Sequence, residues 1–332
     1  MLWSNEVADM TAPRVSIIIL NYNGRNWLNE CLSTILNQNI NEPFEVILVD
    51  NGSTDNSVEY VRTNFPQVKI IELDKNYGFA EGNNIGIEHA KGRYLLFVNM
   101  DTKAENEWLR NLIRAADNHQ EYQVLCSIQL PSQGKNRIKT LNAFLGVTTS
   151  PYESSEAGTD SLFASGACFL IRKEWLNELG YLFDPHYFCF GEDVELSLRT
   201  ILMGGRICYV GDSRIHHYVG GSEYAPFWAS SLAMRNNLLT LYKLFSSENF
   251  IRIVIAKVFY LLLRLIFRPQ QFKKTLGMMK GLLTFFLHFH YYKDYRKNFK
   301  KLKTKDDKYV LQRLLYKRRI EKIVLKKVLY RC

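Results

Sequence analysis

The six cysteines (Cys31, Cys126, Cys168, Cys189, Cys208, Cys332) form no Cys-x-x-Cys pair and no tight framework. Their spread argues against a zinc ribbon or a disulfide-stapled secreted domain and favours a reducing compartment. Met1 to Ala12 shows no basic stretch followed by an apolar core, so no signal peptide is expected. No internal repeat and no low-complexity block is present, which leaves ordinary globular packing. A clean membrane-spanning run is absent too. Phe250–Phe267 is strongly apolar but carries Arg252, Lys257 and Arg264, whereas a spanning helix wants about 20 residues with few charges. Finally, the N-terminal turn Asn21-Tyr-Asn-Gly-Arg25 is a poor Gly-rich, basic triphosphate loop. That weighs against a nucleotidyltransferase.

What is present is ample material for a core. The chain has 332 residues, 47% hydrophobic and 23% charged, enough for one large domain or two ordinary ones. Charge is unevenly placed. Residues 251–332 hold 23 Lys and Arg against 4 Asp and Glu; the remaining 20 basic and 29 acidic residues lie in 1–250. An acidic front part suits a metal site, and a basic tail suits an anionic surface.

The first hundred residues alternate strand and helix signals. Val15–Leu20 is an apolar run, and Trp27, Leu28, Cys31, Leu32, Ile35 and Leu36 follow at helical spacing. Phe44–Val49 is a second strand ending at Asp50, and a helix runs through Val58 and Val61. Val68–Leu73 and Tyr94–Val98 are further strands, separated by a helix at Gly78–Ala90 in which Gly82 and Gly86 permit close packing. Such alternation predicts βαβ units and a parallel sheet with right-handed crossovers. Beyond, a helix is expected around Trp108–Ile113, strands at Val124–Leu130, Phe163–Ile171 and Arg206–Val210, and a helix at Glu192–Met203. Pro131–Asp160, rich in Gly, Ser, Thr and Asn, reads as mobile loops.

Four acidic or metal-capable features fall at or beyond strand ends, where open α/β sheets hold ligands. Asp50 ends the second strand, with Asp55 five residues later. Asp50 suits a nucleobase or ribose contact; a turn or helix cap is the plainer role. Asp101 follows Tyr94–Val98 and suits a divalent cation carrying a diphosphate. It also suits the start of a helix, with Glu105 in the first turn. Glu192 and Asp193 open a helix after the aromatic loop Tyr187–Phe190, either as dipole complements or as a tuned base. His216-His217-Tyr-Val-Gly-Gly-Ser222 can supply a metal ligand.

The order of these segments carries more than any one of them. Val15-Ser-Ile-Ile-Ile-Leu-Asn-Tyr-Asn-Gly24, Val49-Asp-Asn-Gly-Ser-Thr-Asp55 and Asn76-Tyr-Gly-Phe-Ala-Glu-Gly-Asn-Asn-Ile-Gly86 come first. Asn99-Met-Asp101, Ser165-Gly-Ala167, Gly191-Glu-Asp-Val-Glu-Leu196 and His217-Tyr-Val-Gly-Gly-Ser222 follow. The sequence resembles the family 2 glycosyltransferases, the inverting GT-A class, and within them the rhamnosyltransferase-like branch. The resemblance implies an α/β, Rossmann-like, mixed and mostly parallel sheet with flanking helices. A catalytic domain at 1–245 and a basic helical region at 246–332 are expected. It places Asn21 and Tyr22 beside the nucleotide and Asp50 on the base. Asn99 and Glu192 would touch substrate. Asp101 would hold Mg2+ or Mn2+ as the last acid of a DxD-type motif, here with one fewer charged ligand because Asn99 stands at its first position. His217 would complete the metal or diphosphate site, with His216 the weaker candidate. Asp193 would be the catalytic base. Arg235 would meet a phosphate, with structural ion pairing as the competing reading.

The implied activity is transfer from a nucleoside-diphosphate sugar to a glycan or lipid-linked acceptor of a cell-surface polysaccharide. The protein would work in the cytoplasm, peripherally on the membrane. The tail is consistent with this. Phe250–Phe267, Leu276–Phe289 (broken by Gly277 and Gly281), a basic run at Lys293–Lys305 and a final basic helix at about Tyr309–Tyr330 suit an anionic membrane surface. Interleaved Tyr and Phe also suit single-stranded nucleic acid. The acidic front part and the lack of a recognised binding motif weigh against that partner.

Overall fold

The computed structural model describes residues 12–130, 137–141, 147–151, 157–218, 225–292 and 294–316. Strands β1 (Val15–Asn21), β2 (Phe44–Asp50), β3 (Lys69–Glu72) and β4 (Tyr94–Asn99) alternate with helices α1 (Arg25–Leu36), α2 (Ser57–Asn64) and α3 (Gly78–Glu88). They pair in parallel in the order β3-β2-β1-β4. Ile17, Ile18, Ile47, Leu48, Leu95 and Leu96 are fully buried. Strands covered on both faces read as unbroken apolar runs for that reason. On α3, a Cβ at Gly86 would stand 2.6 Å from Ile18 Cγ2, so the expected close approach of helix to sheet is present.

The second half extends the sheet. Next come β5 (Thr102–Ala104), α4 (Trp108–Asn118), β6 (Val124–Leu130), β7 (Arg137–Leu141), β8 (Val147–Pro151), β9 (Ala157–Ser161) and β10 (Cys168–Arg172). Then follow α5 (Lys173–Leu179), α6 (Glu192–Leu202) and β11 (Ile207–His217). β10 lies antiparallel between β4 and β6, β6 runs parallel to β11, and β5 closes the edge antiparallel to β11. The sheet is therefore mixed and mostly parallel, as expected.

Several expectations change. The stretch read as loops at 131–160 contains a β7–β8 hairpin and β9, which pairs with β11; β-branched residues such as Val147, Thr148 and Thr149 favour that state. Residues 163–167 precede the strand instead of belonging to it. Asp101 does not open a helix, because Thr102–Ala104 is a strand paired with His217–Ile215.

The remaining elements are helical: α7 (Pro226–Leu244), α8 (Ser247–Phe267), α9 (Phe272–Leu287), α10 (Phe289–Tyr292), α11 (Tyr295–Leu302) and α12 (Asp307–Tyr316). The expected boundary at 245/246 falls in the turn between α7 and α8. Gly277 and Gly281 do not break α9. A Cβ at either would stand 2.2 Å from the carbonyl oxygens of Phe227 and Ser231, so both glycines let α9 lie against α7. Arg296 donates to the carbonyls of Tyr242 and Phe245, and the amides of Thr304 and Lys305 donate to Leu202 O. One apolar cluster runs from Ile18 and Phe169 through Leu238 to Phe285 and Leu311. The expected final helix is described only to Tyr316; the leader expectation at residues 1–11 and the glycines Gly220 and Gly221 lie outside the described residues.

Candidate active site

In the order β3-β2-β1-β4 the chain reverses its direction of growth between β1 and β4, and ligands of open α/β sheets bind outside the carboxyl ends of strands at such a switch. Asn21 and Asp50 stand side by side in register at two of those ends, and Asn99 pairs with Leu20 at a third. Asn21 Nδ2 donates to Asp50 Oδ1 at 2.7 Å and to Ser57 Oγ at 2.8 Å, and Ser53 N donates to Asp50 Oδ2 at 2.9 Å. Among the described residues, Asn21 Oδ1 is buried without a hydrogen-bond partner. Tyr22, the residue after Asn21, is exposed. Asp55 accepts from the amides of Arg25 and Ser57, the first residues of α1 and α2, and so ties the starts of both helices together.

The end of β4 and the end of β11 bring Asp101 and His217 together. Their side chains are almost wholly buried, with Asp101 Oδ1 3.3 Å from His217 Nε2, and Asn99 Nδ2 lies 3.4 Å from the same ring nitrogen. His216 points to the other face, 3.9 Å from Glu105, as side chains alternate along a strand. Among the described residues no three His, Cys, Asp or Glu side chains cluster as a metal cage. A carboxylate and an imidazole this close still fit one cation that completes its shell with phosphate oxygens and water. His217 Nδ1, buried and without a hydrogen-bond partner among the described residues, agrees with a group set for more than packing.

Asp193 is joined to this group through backbone. Asn99 N donates to Ala167 O at 2.9 Å, and the neighbouring Gly166 N points at Asp193 Oδ2 at 3.3 Å. Asp193 also accepts from Val194 N at 2.8 Å, on the first turn of α6. Glu192 is buried, and burial first, then the adjacent Asp193, holds its carboxyl well above the usual range. The two acids are thus separated in character: a buried carboxyl whose pKa is raised beside a partly exposed, hydrogen-bonded neighbour. Behind them, Lys243 meets Asp184 at 2.7 Å and Glu195 at 3.0 Å, while Arg199 meets Glu195 at 3.1 Å. Burial alone would raise Glu195, but Arg199 and Lys243 outweigh it and keep it ionised. This buried brace ties α6 to α7.

The aromatic loop before Glu192 is strained. Phe188 (φ 60) and Phe190 (φ 69) occupy the left-handed region. Cys189 N donates back to Tyr187 O at 2.7 Å, a γ-turn of the rare, costly hand. Asn236, fully buried on α7, holds it there: its Nδ2 donates to the carbonyls of Tyr187, Cys189 and Phe190 at 2.9, 2.9 and 2.7 Å. Ala80 N on α3 donates to Phe188 O, and Trp228 meets the Phe188 ring edge-on. Arg235 also serves this loop. Its Nη2 donates to the carbonyls of His186 and Tyr187 and to Asn236 Oδ1, so we read it as a loop anchor. Sequence reasoning passed over Asn236, although a polar Arg-Asn-Asn step inside an apolar helix was its visible signal.

Residues 16–180 match the family model described as glycosyl transferase family 2. The chain carries a family 2 glycosyltransferase domain. Over 244 residues it is 27% identical to the O-antigen biosynthesis protein RfbC of Myxococcus xanthus, covering 67% of this chain and 19% of that protein. Its fold matches GalNAc-T7, crystallised with UDP, GalNAc and Mn2+, at a TM-score of 0.59 and 18% identity over 72% of this chain and 49% of that one. It also matches S. aureus TarS residues 1–349 in complex with UDP-GlcNAc, at a TM-score of 0.53 and 20% identity over 72% and 70%. These neighbours establish a GT-A-type fold. The chain spans only part of the length of such curated relatives, from 19% of RfbC to 52% of another.

Proposed function

We propose that this protein is an inverting glycosyltransferase. It moves a sugar from a nucleoside-diphosphate donor to a hydroxyl of a glycan or lipid-linked acceptor in cell-surface polysaccharide synthesis. The observation that carries this reading is the convergence, at the β1/β4 switch, of a hydrogen-bonded acid for the nucleoside (Asp50), an acid–imidazole pair (Asp101 and His217) and a helix-starting acid (Asp193) joined through Gly166. The likeness to the O-antigen biosynthesis protein RfbC, to TarS bound to UDP-GlcNAc and to GalNAc-T7 bound to UDP and GalNAc supports the same reading, and makes a UDP-sugar the donor class to try first.

In this reading Asp193 takes the proton of the acceptor hydroxyl as its oxygen bonds to the anomeric carbon. The bond from that carbon to the diphosphate oxygen breaks, and the electron pair leaves with the diphosphate. One displacement inverts the anomeric centre and needs no second carboxylate as nucleophile. Asn21 and Asp50 orient the nucleoside. Asp101 and His217 would hold Mg2+ or Mn2+, which supplies Lewis-acid stabilisation of the diphosphate. The strained loop sets the start of α6, and so Asp193, against the acceptor. Residues 12–245 perform the transfer, and the basic helical region that follows serves a peripheral position on the cytoplasmic face of an anionic membrane.

The test is a panel of nucleotide sugars with Mg2+ or Mn2+, read by thermal shift and by release of nucleoside diphosphate. Metal-dependent stabilisation by one donor with slow diphosphate release is expected. A folded protein that no donor stabilises would overturn the reading.

A further inference from the structure

Before α7, the exposed large apolar side chains among the described residues are three tyrosines, Tyr22, Tyr181 and Tyr218. From α7 onward the pattern changes. Helix α8 is apolar on two opposite sides. Phe250, Ile253 and Leu261 face the core, with Lys257 buried among them, while Ile251, Ile255, Phe259, Leu262 and Ile266 form an outer stripe three or four residues apart. Ile255 and Phe259 are each 62% exposed, and Phe267 at the end of α8 is 73% exposed. On α9, Phe272, Leu276, Leu283 and Leu287 form a second exposed stripe. A soluble helix normally turns a polar face to water, and contiguous apolar surface of this kind marks a contact site.

Charge identifies what it contacts. Arg268, Lys273 and Lys274 stand exposed around the α8–α9 turn beside Phe267 and Phe272, and Lys280 lies over the Phe227 ring. The acid of α8, Glu248, is paired with Arg252. A second copy of this chain would set these cations against themselves, whereas an anionic lipid surface accepts both features at once. No helix of the described residues is long and apolar enough to cross a membrane. The surface is also continuous with the site: exposed Phe227 adjoins Trp228, which meets Phe188 of the loop that sets Asp193.

We propose that the outer face of the α8–α9 hairpin lies in the headgroup region of an anionic bilayer. Ile255, Phe259, Ile266 and Phe267 sink toward the acyl chains, and Arg268, Lys273 and Lys274 meet phosphates. The loop at Phe188 is thereby presented to acceptors held in that leaflet. Its purpose rests on the lipid-linked-acceptor reading, but its test does not depend on transfer.

The full chain is sedimented with vesicles of phosphatidylcholine alone and of an equal mixture of phosphatidylcholine and phosphatidylglycerol. Binding to the mixed vesicles, reduced by salt, is expected. Replacing Ile255→Ser, Phe259→Ser and Ile266→Ser together removes exposed side chains only, so melting temperature and donor-dependent diphosphate release stay unchanged while vesicle binding falls at least about 30-fold. Lys273→Gln with Lys274→Gln, which touches no packing, lowers binding to the mixed vesicles alone. Equal vesicle binding by the triple-serine variant would overturn the proposal. So would a wild-type chain that ignores the vesicles, including one that dimerises through this face. A chain that binds vesicles but hydrolyses no donor would instead count against the transferase reading and leave the docking face standing.

Discussion

The sheet domain and the helical hairpin solve opposite problems with the same residue classes. The front part buries its apolar residues almost completely and gathers polar ones at strand ends, where Asn21, Asp50, Asp101 and His217 stand in fixed, low-exposure geometry. The hairpin leaves Ile255, Phe259 and Phe267 in the open and rings them with cations. Buried polar groups persist when something specific satisfies them, and exposed apolar ones when something covers them. The difference teaches that the two regions face different ligands: a small charged molecule at the strand ends, a broad amphipathic surface at the hairpin. A change in one region should therefore leave the other region's binding unaltered.

The largest effect belongs to the base. Asp193→Asn keeps its shape and loses its proton-accepting charge, so transfer should fall about 1,000-fold or more while donor affinity and vesicle binding hold. Single-turnover transfer beside calorimetric donor binding measures both; near-normal turnover would remove Asp193 from the mechanism. Asp101→Ala should instead weaken metal-dependent donor binding at least about 100-fold, with little change in metal-free nucleotide binding. Unchanged calorimetric titrations with and without Mn2+ would dissolve the assigned division between the two acids.

Asn236→Ala is expected to act at one remove. It removes the donor shared by the carbonyls of Tyr187, Cys189 and Phe190, of which Tyr187 O keeps Cys189 N and Arg235 Nη2, and losing such a buried hydrogen bond costs about 1–3 kcal/mol. We expect a lower melting temperature and a kcat reduced about 10- to 100-fold with the donor KM nearly unchanged. A purely structural role would lower stability alone. A residue that binds donor would raise KM.

How much of this was legible follows from what each signal depends on. β1, β2 and β4 read plainly because strands buried on both faces leave unbroken apolar runs, and Asp50 and Asp101 stood out as acids at their ends. The hairpin β7–β8 did not, since Arg137–Leu141 and Val147–Pro151 carry no unbroken apolar run in the sequence. Gly277 and Gly281 looked like helix breaks because their reason, the carbonyls of Phe227 and Ser231, lies on another helix. Lys257 reads in sequence as one of three cations interrupting Phe250–Phe267, yet it is buried and desolvation lowers its ammonium to about 8. Composition counts a charge; only packing says which side of the helix it takes. Asn236 was hidden for the same reason, because a carbonyl acceptor leaves no mark in sequence.

The smallest expected effect falls on Glu192, and it separates the paired acids most sharply. Burial and the adjacent Asp193 raise its folded pKa above the unfolded value. Between the two values the folded state binds more protons, so the stability this group contributes falls as pH rises through that window. Glu192→Gln imitates the protonated form and removes the loss. It should raise the melting temperature above neutral pH, change little below the unfolded carboxyl range, and leave turnover within about threefold at neutral pH. A flat difference in melting temperature across pH would mean that folding does not raise the pKa of Glu192. A collapse of turnover to the level of Asp193→Asn would mean that the charge of Glu192 takes part in the chemistry, and the two acids would then have to be treated as one coupled base.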